Sequence, residues 1–195
     1  MTGDHGAGSI PVNSAGVAKP TIALIGMRGA GKTTVGRALA RILDGSFVDT
    51  DELVALHTGK TIAQIFAEEG EAGFRRHEAA VIEESVNLPP AVLSVGGGAV
   101  LNAENACNIH RIAWVVWLTA PAETLWQRIS SDTSSDATRP VLTNRLGMEE
   151  IAHLLGDREQ MYSQVSDVAV ETSGRTPEEV ARLVLSLMEK NRVAG

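Results

Sequence analysis

Cysteine is nearly missing from this chain: Cys107 stands alone among 195 residues. A lone thiol excludes an intrachain disulfide and a multi-thiolate metal cluster, and a reducing cytoplasm is the expected setting. Cys107 lies in Asn105-Ala106-Cys107-Asn108 with no base beside it in sequence, so it reads as an incidental thiol and not a nucleophile. Also lacking is any run near the roughly 18 consecutive apolar residues that a membrane span needs. Basic residues are in the minority, 17 against 24 acidic, for a formal charge of −7. That balance supplies no general field for nucleic acid or an anionic membrane, and neither is expected as a partner. An anionic substrate would need a dedicated cationic pocket. Glycine and proline, at 19 and 7, show no extreme bias, and with 44% hydrophobic residues the chain can bury the core of one domain. Residues 1–19 are rich in glycine, alanine and serine, without the apolar run of a signal peptide or the basic residues of a transit peptide. The expectation is a disordered tail ahead of a single domain over 20–195, present as a monomer.

Short apolar runs at 21–25, 46–48, 91–95, 112–118 and 168–170 alternate with longer segments of helical apolar spacing, the first at about 32–43. Strands separated by helices imply a parallel sheet covered on both faces, an α/β domain. The polar stretch 130–138 reads as a mobile loop after a helix near 122–129.

Gly26-Met27-Arg28-Gly29-Ala30-Gly31-Lys32-Thr33 fills all eight positions of a P-loop, and it follows an expected strand and opens an expected helix. Glycines let successive backbone N–H groups approach phosphate oxygens, and the helix N-terminus adds a favourable dipole. Gly29, Ala30, Gly31, Lys32, Thr33 and Thr34 are therefore candidate ATP contacts. Lys32 would reach the β- and γ-phosphates, and Thr33 would ligate Mg2+. A dinucleotide fingerprint fails because Thr34 occupies its third glycine position. The Asp-x-x-Gly and Asn-Lys-x-Asp segments expected of a GTPase do not occur. The one strand that runs into aspartates is 46–48, followed by Asp49-Thr50-Asp51.

Ligand sites in open α/β sheets lie beyond the carboxyl ends of the strands, where Asp49 and Asp51 would fall. In extended chain two such residues point the same way, so one carboxylate could hold waters of the metal while the other accepts a hydrogen bond from an attacking hydroxyl. Capping of a helix that starts near Glu52 is the competing reading. Gly96-Gly97-Gly98 follows the strand 91–95 and would let a ligand approach the backbone unobstructed.

Phasing the helix around Phe74 at about 100° per residue places Val81, Ile82 and Val86 on one apolar arc, with Arg75 and Glu78 inside it and Arg76 on the opposite face. Glu71 and Glu78 are spaced to pair with Arg75. In 148–162 the stripe Met148, Ile151, Leu155, Tyr162 has one vacant place in its spacing, which Arg158 takes. Buried guanidinium groups demand anionic partners. A ligand carboxylate clamped by Arg75 and Arg158 is the reading taken forward, with a protein carboxylate as the alternative.

Taken together these residues resemble shikimate kinases, over about 21–187. The pieces that match are 26–34, Asp49-Thr50-Asp51, 61–66, Gly70-Glu71, Phe74-Arg75-Arg76, 94–98, Arg139-Pro140, and Arg158 with Tyr162. The resemblance implies a three-layer α/β/α domain on a five-stranded parallel sheet, of the nucleoside-monophosphate-kinase type. A helical substrate region would span about 50–80 and a lid about 130–145. It implies ATP and shikimate as ligands and Mg2+ as the metal, held by Thr33 and, through water, by Asp49. Lys32, Asp51 and Arg139 would be catalytic, with Arg139 entering the phosphate site from the lid. Asp51 and Gly97 would hold the ring hydroxyls, with Gly96 and Gly98 also in the substrate site, and Arg75 with Arg158 would hold the carboxylate. Arg128 and the turn at Arg175 would border the adenine. The lid carries Asp132 and Asp136, a departure that bears on its closing electrostatics. Two alternatives stay open: a kinase for another hydroxy acid such as quinate or gluconate, and an ATP-binding regulator without turnover.

Overall fold

The computed structural model describes residues 21–131 and 147–194. The expected tail over 1–19, Arg139 and the lid from 132 onward lie outside these described residues. The strands are β1 (Thr21–Ile25), β2 (Phe47–Asp49), β3 (Val92–Ser94), β4 (Ala113–Thr119) and β5 (Val168–Glu171), and the described helices are α1 (Lys32–Leu43), α2 (Thr50–Thr58), α3 (Ile62–Asn87), α4 (Ala103–Ile112), α5 (Ala122–Ser131), α6 (Met148–Val165) and α7 (Pro177–Ala194). Every expected strand is found within about two residues. Residues 130 and 131, expected in the polar loop, belong to α5, which runs to Ser131, and the rest of that stretch lies outside the described residues.

All strand pairs are parallel, in the order β2-β3-β1-β4-β5. A parallel pair cannot be closed by a hairpin, so each connection crosses back through a helix. β1 is buried at every position, which is why Thr21-Ile22-Ala23-Leu24-Ile25 reads as an unbroken apolar run and not as an alternation. α1 packs on α7, α3 on α4 and α5 on α6, closing the layers over the sheet. The main core gathers Ile22, Leu24, Leu39, Leu93, Ile109, Leu118 and Leu125. A smaller cluster of Val54, Ile62, Ile65, Phe74 and Val81 holds α2 to α3. Phe66 and Phe74 stack at its edge, ring centroids 4.9 Å apart. This second cluster lets α2 and α3 stand over the carboxyl ends of β2 and β3. Among the described residues no helix is long and apolar enough to cross a membrane.

Candidate active site

The carboxyl ends of β1, β2 and β3 deliver the P-loop, Asp49 and the glycine triplet to one edge of the sheet. The first P-loop residue, Gly26, has φ +134, and a Cβ there would collide with the Leu118 carbonyl at the end of β4. Only glycine meets both demands. Lys32 turns back over the loop, its Nζ donating to the carbonyls of Gly26 (2.9 Å) and Met27 (3.0 Å). Thr33 Oγ1 donates to Asp49 Oδ2 at 2.8 Å. A hydroxyl beside a carboxylate is a hard oxygen donor set, the kind that suits Mg2+ with phosphate and water filling the other positions.

The structure corrects the reading of the acidic pair. α2 begins at Thr50, so Asp51 lies in its first turn and the chain is not extended through it. Asp49 is the helix cap, its Oδ1 accepting from the Asp51 N–H at 3.0 Å while its Oδ2 receives Thr33. One carboxylate thus serves both readings, cap and partner of the P-loop hydroxyl. Asp51 is carried by the helix turn into a different cavity, where its Oδ1 lies 3.2 Å from the position a Cβ on Gly96 would take.

That cavity is lined by Met27, Arg28, Asp51, Ile62, Phe66, Phe74, Arg75, Glu78, the three glycines Gly96, Gly97 and Gly98, and Arg158. The helix phasing holds through Ile82: Phe74, Glu78, Val81 and Ile82 are buried and the Arg76 side chain is 70% exposed, whereas Val86, near the end of α3, is only partly buried. Arg75 donates from Nη1 to Glu78 Oε2 at 2.7 Å and from Nη2 to Glu71 Oε1 at 3.1 Å. Burial works to lower its proton affinity, but the charge and hydrogen bonds of Glu78 and Glu71 outweigh it and hold the guanidinium above its ordinary value. Burial pushes the Glu78 carboxyl up, against the opposing pull of Arg75. Its second oxygen, Oε1, is buried and has no hydrogen-bond partner among the described residues. A Cβ on Gly96 would strike that oxygen, and one on Gly98 would sit 2.5 Å from Arg75 Nη2. Two of the three glycines are therefore set by close approach of Glu78 and Arg75.

Arg158 enters the cavity from α6, with Nη1 3.9 Å from Met27 Sδ. The stripe that placed it needs one correction. Met148 is 49% exposed at the start of α6, so the inward face begins at Ile151 and continues through Leu155 and Arg158 to the fully buried Tyr162. Beyond the other side of the P-loop, Ala30, Gly31, Thr34, Arg128, Arg175 and Pro177 line a second cavity. Arg128 Nη1 donates to the Gly29 carbonyl (3.1 Å) and to Thr172 Oγ1 (2.9 Å), and Nη2 to the Thr172 carbonyl (3.0 Å). Arg175 donates to the Glu171 carbonyl at 2.8 Å.

Three residues escaped sequence reasoning. Thr50 Oγ1 accepts the Gly96 N–H at 2.9 Å and joins the start of α2 to the glycine loop. Thr172 holds Arg128 against the P-loop, and its only signal was a polar residue just past an apolar strand. Phe66 forms an apolar wall of the first cavity, one turn after Ile62. Its place could have been read from the spacing with Ile62.

Comparison with known proteins agrees with this fold. The family model for shikimate kinase matches residues 28–189. The shikimate kinase of Nitrosococcus oceani is 43% identical over 164 residues, covering 84% of each chain. That of Bordetella pertussis is 42% identical over 169 residues, 87% of this chain and 77% of its own. Among solved structures, shikimate kinase from Acinetobacter baumannii in complex with shikimate superposes with a TM-score of 0.81 at 38% identity, over 88% of this chain and 94% of that one. A gluconokinase from Sinorhizobium meliloti shares the fold with a TM-score of 0.52, but at 16% identity.

Proposed function

Since the chain belongs to the shikimate kinase family, we propose a division of labour in which each subsite described above serves one part of phosphoryl transfer. The reaction is ATP-dependent phosphorylation of shikimate to shikimate 3-phosphate and ADP, a step of aromatic amino-acid biosynthesis. One observation carries the reading: Arg75, Arg158, Asp51 and the glycine triplet meet in a single cavity at the mouth of the P-loop. Shikimate is a carboxylate with ring hydroxyls, and this cavity offers guanidinium groups for the first and a carboxylate for the second.

Arg75 and Arg158 hold the acceptor carboxylate. Asp51 accepts a hydrogen bond from the attacking hydroxyl, aligns it with the γ-phosphorus and takes its proton as the new O–P bond forms. The bond to the β-phosphate oxygen breaks, and ADP leaves. Lys32 exchanges the carbonyls of Gly26 and Met27 for phosphate oxygens. Thr33 and Asp49 would hold Mg2+, which when bound neutralises phosphate charge. Ile62, Phe66 and Phe74 keep water from the acceptor. Arg128 and Arg175 border the adenine, in the cavity beside the P-loop. Arg139, outside the described residues, is assigned to the phosphates from its match to the family motif. We place the enzyme in the cytoplasm as a monomer, consistent with its lone thiol.

Coupled ADP formation tests the reading, with shikimate, its methyl ester, quinate and gluconate as acceptors. ADP should form rapidly with shikimate alone. The ester, which has lost the charge that the arginines bind, should lower kcat/KM by about 10- to 150-fold, the equivalent of one hydrogen bond to a charged group. Equal rates with ester and acid would refute the arginine clamp, and ADP formation indifferent to shikimate would point to a regulator.

A further inference from the structure

The hydroxyl of Tyr162 does something that none of the roles above employs. It is fully buried on α6, one turn beyond Arg158 and on the same face. It donates to the carbonyl of Gly97, at the centre of the glycine triplet. Its ring rests 5.7 Å from that of Trp117 on β4, and its oxygen lies 3.7 Å from Met27 Sδ. α6 therefore holds both an acceptor arginine and a side-chain hydrogen bond to the Gly97 carbonyl.

The consequence follows from peptide geometry. The bond between Gly97 and Gly98 is planar and trans, so fixing the Gly97 carbonyl on Tyr162 turns the Gly98 N–H in the opposite direction. Gly98 itself abuts Arg75, since a Cβ there would be 2.5 Å from Nη2. One residue earlier, Thr50 pins the Gly96 N–H at 2.9 Å. A run of three glycines has wide conformational freedom, and a loop left free would have to be ordered each time an acceptor bound. With Thr50 at one end and Tyr162 in the middle, the loop is ordered beforehand.

We propose that Tyr162 is a positioning residue for the acceptor site: by holding the Gly97 carbonyl it sets the Gly97–Gly98 peptide beside Arg75, and it locks this loop to the helix that carries Arg158. The ligand it serves is the carboxylate end of the acceptor, so the inference rests on the functional reading above. Tyr162→Phe keeps the ring and its packing and removes only the donor.

In the variant, KM for shikimate should rise about three- to twelvefold, the loss of one hydrogen bond's worth of preorganisation, with KM for ATP within about twofold of native. A merely structural hydroxyl would instead lower melting temperature and the active fraction, reducing kcat while leaving both KM values alone, and that result overturns the proposal. So does a rise in both KM values together. Tyr162 is the sole tyrosine of the chain, so growth on 3-fluorotyrosine places a single 19F label on the native protein and keeps the test open if the phenylalanine variant does not fold. Shikimate should then move the one resonance, and Mg–ADP should leave it in place. A resonance indifferent to shikimate, in protein that turns shikimate over, overturns the proposal. Failure of the native protein to phosphorylate shikimate would instead sink the functional reading and this inference with it.

Discussion

A carboxylate that is 1% exposed, as Glu78 is, must justify its charge, and here it does so through Arg75 at 2.7 Å. Replacing Arg75 would strand that carboxylate at a cost of about 3–5 kcal/mol, so Arg75→Ala confounds binding with stability. The titration of Glu78 gives a cleaner test. Burial raises its carboxyl above the ordinary 4.5, so the folded state binds the proton more tightly than the unfolded chain. The stability this group contributes is then full below that ordinary value and is lost as pH rises through the folded one. Glu78→Gln cannot ionise and escapes the loss. Urea unfolding of both proteins from about pH 4 to about pH 7 should show the variant gaining stability relative to the native protein as pH rises. A relative loss over that range would mean that the pull of Arg75 outweighs burial. Much at this scale was legible: phasing alone set Arg75 and Glu78 inward and Arg76 outward. What escaped was the partner across space, such as Thr50 on Gly96, because a hydrogen bond between residues 46 apart in sequence leaves no periodic trace.

α3 is a helix in two parts. Gly70 breaks it with φ 68 and ψ −176, a backbone region essentially reserved for glycine. The part before the break supplies Ile62 and Phe66 to the acceptor cavity, and the part after supplies Phe74, Arg75 and Glu78. Glu71, the first residue past the break, reaches Arg75 at 3.1 Å. A Cβ on Gly70 would meet nothing within 4 Å, so the cost of adding one is purely conformational. Gly70→Ala should therefore lower stability by about 1–3 kcal/mol. It should also raise KM for shikimate, because the two parts of the wall no longer meet at the same angle, with no effect on the affinity for ADP. Native stability in this variant would show that the break costs alanine nothing. The sequence hid this element's shape because a glycine inside a helical pattern reads the same whether the helix bends or not. Its phase survived because Phe74, from which it was counted, follows the break. The start of α2 was misplaced for a related reason: Asp49 and Asp51 are equally good caps by residue type, and only the bond from Asp51 N–H to Asp49 Oδ1 decides between them.

At the scale of the whole molecule, the five strands and their parallel sense were readable as apolar runs between helices. Their order was not, since β2-β3-β1-β4-β5 depends on crossovers that local spacing does not record. That order is what puts the two cavities, proposed as the nucleotide and acceptor subsites, on either side of the P-loop. Among the described residues the two cavities share no lining residue. Arg158 and Tyr162 approach the P-loop at Met27 Sδ, at 3.9 and 3.7 Å, and thioether sulfur is a weak acceptor. Each subsite should thus bind its ligand when the other is damaged. A ligand at about 100 times its Kd adds about 2.7 kcal/mol to stability, which in a chain of this size raises the melting temperature by about 5–10 °C. Lys32 is half-buried and belongs to neither apolar cluster, so Lys32→Ala should fold. It should lose phosphoryl transfer and most of the rise caused by Mg–ADP, and keep the rise caused by shikimate. Arg158→Ala should do the reverse, losing the shikimate rise and keeping that of Mg–ADP. Thermal unfolding of the native protein and both variants, each alone and with either ligand, reads the full set. Loss of both rises in either folded variant would mean that the two subsites act as one unit, and the separation drawn from the cavities would be wrong.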